Sequence, residues 1–326
     1  MVVNMTARAR VFVLVALAAV VASGVVVIGV LATRSNVPTV KPRPGTPPLA
    51  LDLGLRTDAE ARALQQAETL YNRGGQQKRA EQIFSRYRSL EAEVGAAVAA
   101  WPSGTVTHLE TLAAEYPRSG LVALHLGFAL YWSHRDQEAQ TAWRAAEKLQ
   151  PDTLYAVRAS DVLHPRFPLG GLPTFVPSFQ PPRRISVLTP ALQVATLERA
   201  ARTGGARAKI LYGVALQKLD RPRSAEAQFA AAARESPSDP EARVAEAVGL
   251  FDKANPSRAF GRLGPLVRVF PHAQTVRFHL GLLLIWLADL PKARQELRQA
   301  RAEGPKTPLG RQAAAYLSVL AQAGTR

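Results

Sequence analysis

The chain has 326 residues, with 41 Lys and Arg against 25 Asp and Glu, a formal net charge of +16, and no cysteine. The missing cysteines exclude disulfides, thiol catalysis, Cys-ligated metals and a lipoprotein anchor, while the basic surplus points to an acidic partner, an anionic membrane face or an acidic envelope polymer. Arginine far outnumbers lysine and alanine is abundant, a composition expected of a high-GC bacterial source.

In chain order, a short basic tail at 1–10 leads into residues 11–31, a stretch of 21 residues without a charge. That length suffices for one helix to cross a bilayer, so an uncleaved signal anchor is expected; cleavage near Val21-Ala22-Ser23 is the alternative. Arg8 and Arg10 precede the stretch, and Arg34, Lys41 and Arg43 follow it, so counting positive charges does not decide orientation. A short tail ahead of a single anchor is expected in the cytoplasm. The remainder would then face outward from a bacterial cytoplasmic membrane. Residues 32–57 form a Pro-rich linker, semi-rigid from 38 to 48.

From 58 to 326 the chain reads as helical. Pro237, Pro271 and Pro305 are spaced by 34 residues, and Ala225, Ala259 and Ala293 keep the same step. Unit 206–239 carries Tyr212, Gly213, Leu216, Ala225, Phe229, Ala232 and Pro237. Unit 274–307 places Leu280, Gly281, Leu284, Ala293, Leu297, Ala300 and Pro305 at the same offsets. Unit 240–273 has Ala247, Leu250, Ala259, Leu263, Leu266 and Pro271, and unit 120–153 has Leu126, Gly127, Leu130, Ala139, Trp143, Ala146 and Pro151. A weaker match lies at 61–94, with Ala67, Tyr71, Ala80, Phe84 and Tyr87. Apolar residues four apart mark one face of a helix, so each unit predicts two amphipathic helices, with proline ending the second. Residues 308–322 repeat a first helix only and are expected to cap the array.

Between the units, residues 153–163 read as a helix, and another resumes from Thr189 to about Arg202. The Pro-rich insertion 163–188 separates them, which suggests one repeat split in two. Leu169, Leu172, Phe175, Val176 and Phe179 make this insertion apolar. It is expected either to pack down and seal an irregular joint or to contact a ligand or a second copy.

The period and its Gly/large/Ala/Pro pattern resemble the tetratricopeptide repeat. The resemblance implies an all-α, right-handed α-solenoid of helix-turn-helix hairpins, preceded here by one transmembrane helix. It also implies a concave groove, lined by first helices, that receives an extended peptide or a partner segment. Carried over residue by residue, the groove face takes Phe128, Tyr131 and Trp132 from 120–153. It takes Arg207, Gln217 and Lys218 from 206–239, Phe251 from 240–273, and Phe278, Ile285 and Trp286 from 274–307. Two aromatic clusters, Phe128/Tyr131/Trp132 and Ile285/Trp286, would anchor apolar side chains. Packing of Trp132 and Trp286 at joints between units is the competing reading. The family's carboxylate-clamp places hold Gln65, Thr69, Ile210 and Val214 here, so that mode is not expected.

No phosphate-cradling glycine loop, nucleophile elbow or His-Glu-x-x-His motif is present, so no enzyme, cofactor or metal is expected. His125 and His279 occupy equivalent places in their units and read as groove-facing or satisfied helix histidines. Nucleic acid is not expected as a partner. The function expected is a membrane-anchored scaffold that holds a protein or peptide. The alternative is a self-assembling module that dimerises through the insertion.

Overall fold

The computed structural model describes residues 41–323, and residues 44–326 form one compact unit. The expected anchor at 11–31 and the first part of the linker lie outside the described residues. Among the described residues there are sixteen helices and no strand, and no helix is long and apolar enough to cross a membrane.

The helices pair along the chain as α-hairpins, giving the α-solenoid. A first array comprises α1 (Ala59–Asn72), α2 (Gln77–Phe84), α3 (Leu90–Ala99), α4 (Thr105–Glu115), α5 (Gly120–Trp132), α6 (Asp136–Leu149) and α7 (Leu154–Leu163). After the one-turn α8 (Arg183–Ser186) come α9 (Pro190–Thr203), α10 (Ala206–Lys218), α11 (Pro222–Glu235), α12 (Pro240–Gly249), α13 (Ser257–Val269), α14 (Gln274–Trp286), α15 (Leu290–Glu303) and α16 (Pro308–Ala323). Each array thus contains three hairpins closed by a single helix, α7 or α16, and in the second array α8 and α9 precede the hairpins.

Local chemistry sets the helix starts. Asp58, Ser89, Ser119 and Thr153 accept from backbone N–H groups in the first turns of α1, α3, α5 and α7. Arg56 beside Asp58, together with the Ala61 N–H, holds that carboxyl down at about 2. Proline opens α9, α11, α12 and α15, where its missing N–H costs nothing. Three hairpins turn the same way: His134, Asp220 and Ala288 adopt φ of 61, 54 and 59° at matching places. The next N–H then returns to a carbonyl five residues back, at 2.9, 2.9 and 3.0 Å.

The crossing of each hairpin explains the Gly in the repeat. A Cβ on Gly127 would fall 2.4 Å from the Trp143 ring, one on Gly213 2.4 Å from Phe229, and one on Gly281 2.8 Å from Leu297. Gly213→Ala therefore sets two effects against each other. Helix propensity favours alanine by about 1 kcal/mol, and overpacking opposes it by about 1–3 kcal/mol. A net loss is expected. Gly261, at an exposed position on α13 with nothing near its absent Cβ, is the control: Gly261→Ala should gain up to about 1 kcal/mol in chemical denaturation. A gain at both positions would rule out the crossing argument.

One sequence expectation needs correction. The insertion does not divide one repeat, because α7 packs on α5 and α6 while α9 packs on α10, and the two do not pair. Each helix instead completes its own array. The hairpin α3/α4 has no periodic signature in the sequence, since both helices are short and the stretch 95–119 lacks the 34-residue pattern.

Three carboxylates join the arrays. Asp152 accepts from the Arg223 and Ser224 N–H groups at 2.8 and 3.1 Å, capping the start of α11. Asp52 pairs with Arg221 at 2.7 Å. Asp161, on α7, takes the Lys253 ammonium at 2.6 Å and the Gly171 N–H at 2.9 Å. Lys253 is 1% exposed. It comes from the turn after α12, which is longer than the turns of the hairpins on either side and carries this lysine inward.

Candidate functional site

The inner faces of both arrays are occupied by extended segments of the chain itself. Residues 47–53 run along the first array. Pro47, Leu49 and Leu51 are buried, while Pro48, Ala50 and Asp52 turn outward to varying degrees. Residues 173–179 run along the second array with the same alternation: Pro173 and Phe175 are buried, and Thr174 and Ser178 are exposed. A period of two is that of extended backbone, whose polar groups need partners once covered.

Those partners come from matching places in the repeats. His125 donates from Nδ1 to the Leu121 carbonyl at 2.8 Å, which leaves Nε2 to accept the Ala50 N–H at 3.1 Å. His279 donates from Nδ1 to the Thr275 carbonyl at 2.7 Å, and its Nε2 accepts the Val176 N–H at 2.9 Å. One residue earlier in each segment, a side-chain amide meets the backbone. Asn72 donates to the Leu49 carbonyl at 3.0 Å, and Gln217 accepts the Phe175 N–H at 2.9 Å. Asn72 and Gln217 hold the same place in units 61–94 and 206–239. In each array the histidine lies two hairpins further on. The device is therefore built twice.

Further contacts differ between the two. Tyr71 donates to the Pro47 carbonyl at 2.6 Å, and burial pushes its hydroxyl up to about 12. Glu68 accepts the Leu51 N–H at 3.0 Å, and Tyr155 Oη accepts that of Asp52 at 3.0 Å. In the second segment Pro177 has no N–H to offer, and Glu241 accepts from Ser178 at 3.3 Å. Phe175 stacks on His279 at 4.6 Å, and Arg207 lies over Phe179 at 5.1 Å. Both histidines are fully buried, and that burial depresses each to about 4. Burial also pushes up the carboxyls of Glu68 and Glu241.

The ten groove residues expected from the sequence divide accordingly. Phe128, Tyr131 and Trp132 line an open cavity of about 970 Å³ beside the first segment, bounded by Pro48, Leu49 and Ala50 on one side and by Val162, Leu163 and Pro165 on the other. Their rings meet edge-on: Phe128 lies 5.7 Å from Trp143, and Tyr131 lies 5.3 Å from Trp132. The indole N–H groups of Trp132 and Trp143 have no hydrogen-bond partner. Gln217 and Arg207 hold the second segment, with Lys218 exposed at its edge.

The other four residues pack at joints, although Phe251 also borders cavities of about 340 and 140 Å³. Phe251 and Trp286 pack together at 5.8 Å, with Phe167 of the insertion on Phe251 and the Lys253 ammonium over Trp286 at 5.3 Å. Phe278 lies beneath Tyr316 of the closing helix, and Ile285 packs beside it. The second aromatic cluster is thus core at a joint. Within the insertion, Phe167, Phe175 and Ile185 are buried, while Leu169 and Val187 stay exposed. Among the described residues no group of His, Asp and Glu is placed to hold a metal.

No family model and no curated protein matches the chain. Solved structures similar to it include YrrB, a TPR protein with an unusual peptide-binding site, at 15% identity over 64% of this chain and 97% of that one, with a TM-score of 0.32. The human IFIT1 dimer with PPP-AAAA is similar at 15% identity over 82% of this chain and 65% of that one, with a TM-score of 0.33. Yeast Tom70 is similar at 10% identity over 86% and 68%, with a TM-score of 0.33.

Proposed function

We propose that the chain is a non-catalytic scaffold that receives a peptide or protein segment in the aromatic cavity of its first array. The observation that carries this reading is the pair of extended segments on the inner faces, since both faces already hold backbone by dedicated side chains. The cavity lies beside the first segment, against Pro48, Leu49 and Ala50, and is large enough for apolar anchor side chains. The cavity lining carries both signs, Arg144 and Arg158 with Asp136 and Asp161, so attraction to an acidic partner is argued from the net charge of +16.

The apolar stretch at 11–31 would tether this scaffold to a bacterial cytoplasmic membrane, with the solenoid outside the cytoplasm. Protease added to intact spheroplasts should then digest residues 44–326, whereas full protection would place them inside.

A photo-crosslinking amino acid at Tyr131 tests the receptor directly. A discrete adduct is expected in membranes of the source cell, absent when the same group replaces exposed Val269, and at least tenfold weaker with Trp132→Ala. An adduct only with a second copy of the chain would convert the reading to self-assembly, and no adduct would refute it.

A further inference from the structure

A second cavity, of about 460 Å³, lies in the second array and shares no lining residue with the aromatic one. Two of its walls are helix faces. α9 contributes Pro190, Gln193, Val194 and Leu197, and α10 contributes Leu211, Val214, Ala215 and Lys218. Each set follows the spacing i, i+3, i+4, i+7, which is one stripe of a helix. The two helices pack on each other, yet Val194, Leu211 and Val214 stay half-buried around open space. The third wall is the extended segment, through Val176, Pro177 and Pro181; Leu55 and, from α16, Gln312 also border the space.

Hydrogen bonds fix these walls. Gln217 accepts the Phe175 N–H at 2.9 Å, and Gln193 donates to the Ser186 and Leu188 carbonyls at 3.2 and 2.7 Å. The space is formed without a ligand, so binding would not have to order its walls. Its charge has one sign. Lys218 is the single charged residue of the lining, and no carboxylate borders it. Arg183 and Arg184 begin two residues after Pro181 of the wall. All three cations are exposed, and none makes an ion pair among the described residues. The aromatic cavity, by contrast, is bordered by Asp136 and Asp161 as well as by two arginines.

We propose that the second cavity binds a single-chain aliphatic anion, a fatty carboxylate whose chain lies between α9, α10 and the extended segment and whose head meets the Lys218 ammonium. Burial of the chain supplies the affinity, and the one-signed rim selects the head group. An uncharged amphiphile leaves the ammonium without a partner, and a cationic one is repelled by it. The volume lies in the lower part of the usual range for ligand sites, about 300–1,000 Å³, which suits one chain of medium length rather than a two-chain lipid. The assignment does not rest on a peptide occupying the aromatic cavity.

Calorimetric titration of the full chain in phospholipid nanodiscs, with empty discs as the blank, tests this with octanoate, octanol and octylammonium. Saturable binding of one octanoate per chain is expected, at least tenfold tighter than either of the other probes. Lys218→Met should weaken octanoate at least tenfold and leave octanol unchanged. Ala215→Phe, which places a ring in the cavity from α10, should abolish saturable binding with circular dichroism unchanged. Because Lys218 is exposed, its replacement leaves the packing intact, and that comparison decides even where Ala215→Phe fails to fold. Trp132→Ala, in the aromatic cavity, should leave octanoate affinity as it was. Absence of saturable octanoate binding, equal binding by Lys218→Met, octanol matching octanoate, or loss of binding in Trp132→Ala would each overturn the proposal.

Discussion

Acidification from pH 7 to pH 4 is expected to lower stability by about 3 kcal/mol at each of His125 and His279. Each imidazole is fully buried and folds as the neutral form, so its pKa drops from 6.5 to about 4. Protonation would place a charge in the core. It would also turn the Nε2 that accepts from Ala50 or Val176 into a donor facing a donor. The unfolded chain takes up these protons from about pH 6.5 downward, while the folded chain resists until about 4. The contribution is therefore complete above the unfolded value, falls as pH drops through that window, and levels off below the folded value.

Groups packed around the two histidines modify this. Glu241 faces Thr275 on the turn before His279, and Glu68 holds the residue after Ala50. Burial raises both carboxyls, so they bind protons more readily when folded and oppose the loss at the acid end of the range. Denaturant midpoints followed by tryptophan fluorescence at pH 7, 5.5 and 4.5 check the balance. The double variant His125→Gln/His279→Gln should be nearly flat where the parent declines. Parallel pH profiles for the two proteins would remove the histidines from the explanation.

Asp161→Ala is expected to cost about 3–5 kcal/mol, because it leaves the Lys253 ammonium inside the joint without its counter-charge. The Gly171 N–H loses its acceptor in the same step. Lys253→Met should cost less. It removes the charge and keeps an unbranched chain against Phe167 and Trp286, while Asp161 retains Gly171 and Arg158 at 3.6 Å. Chemical denaturation gives the order of the two variants, and limited proteolysis within 164–182 locates the damage. If Asp161→Ala proves as mild as a surface substitution, the pair does not hold the arrays together.

The hairpins were legible because their signal is local and periodic. Gly213 against Phe229, or Gly127 against Trp143, belong to short helices whose neighbours in space are neighbours in sequence. The histidines could be matched to each other on the same basis, as His125 and His279 share a place in the period. What each one binds could not be read in this way. The Ala50 N–H lies 75 residues from His125 and the Val176 N–H lies 103 from His279, and extended backbone leaves no helical period to follow.

Sequence alone therefore determined that this chain builds repeated helix pairs, where they turn, and which small residues permit their crossing. Each of those follows from dihedral preferences and side-chain volume within one unit. The tertiary structure alone decided what fills the inner faces. Residues 44–53 and the Pro-rich insertion carry enough apolar surface to seek cover, and the inner faces supply it, together with acceptors for N–H groups that would otherwise be buried unpaired. The same packing left one aromatic cavity open and closed the other cluster into a joint, a choice set by Lys253 and Asp161 from opposite arrays.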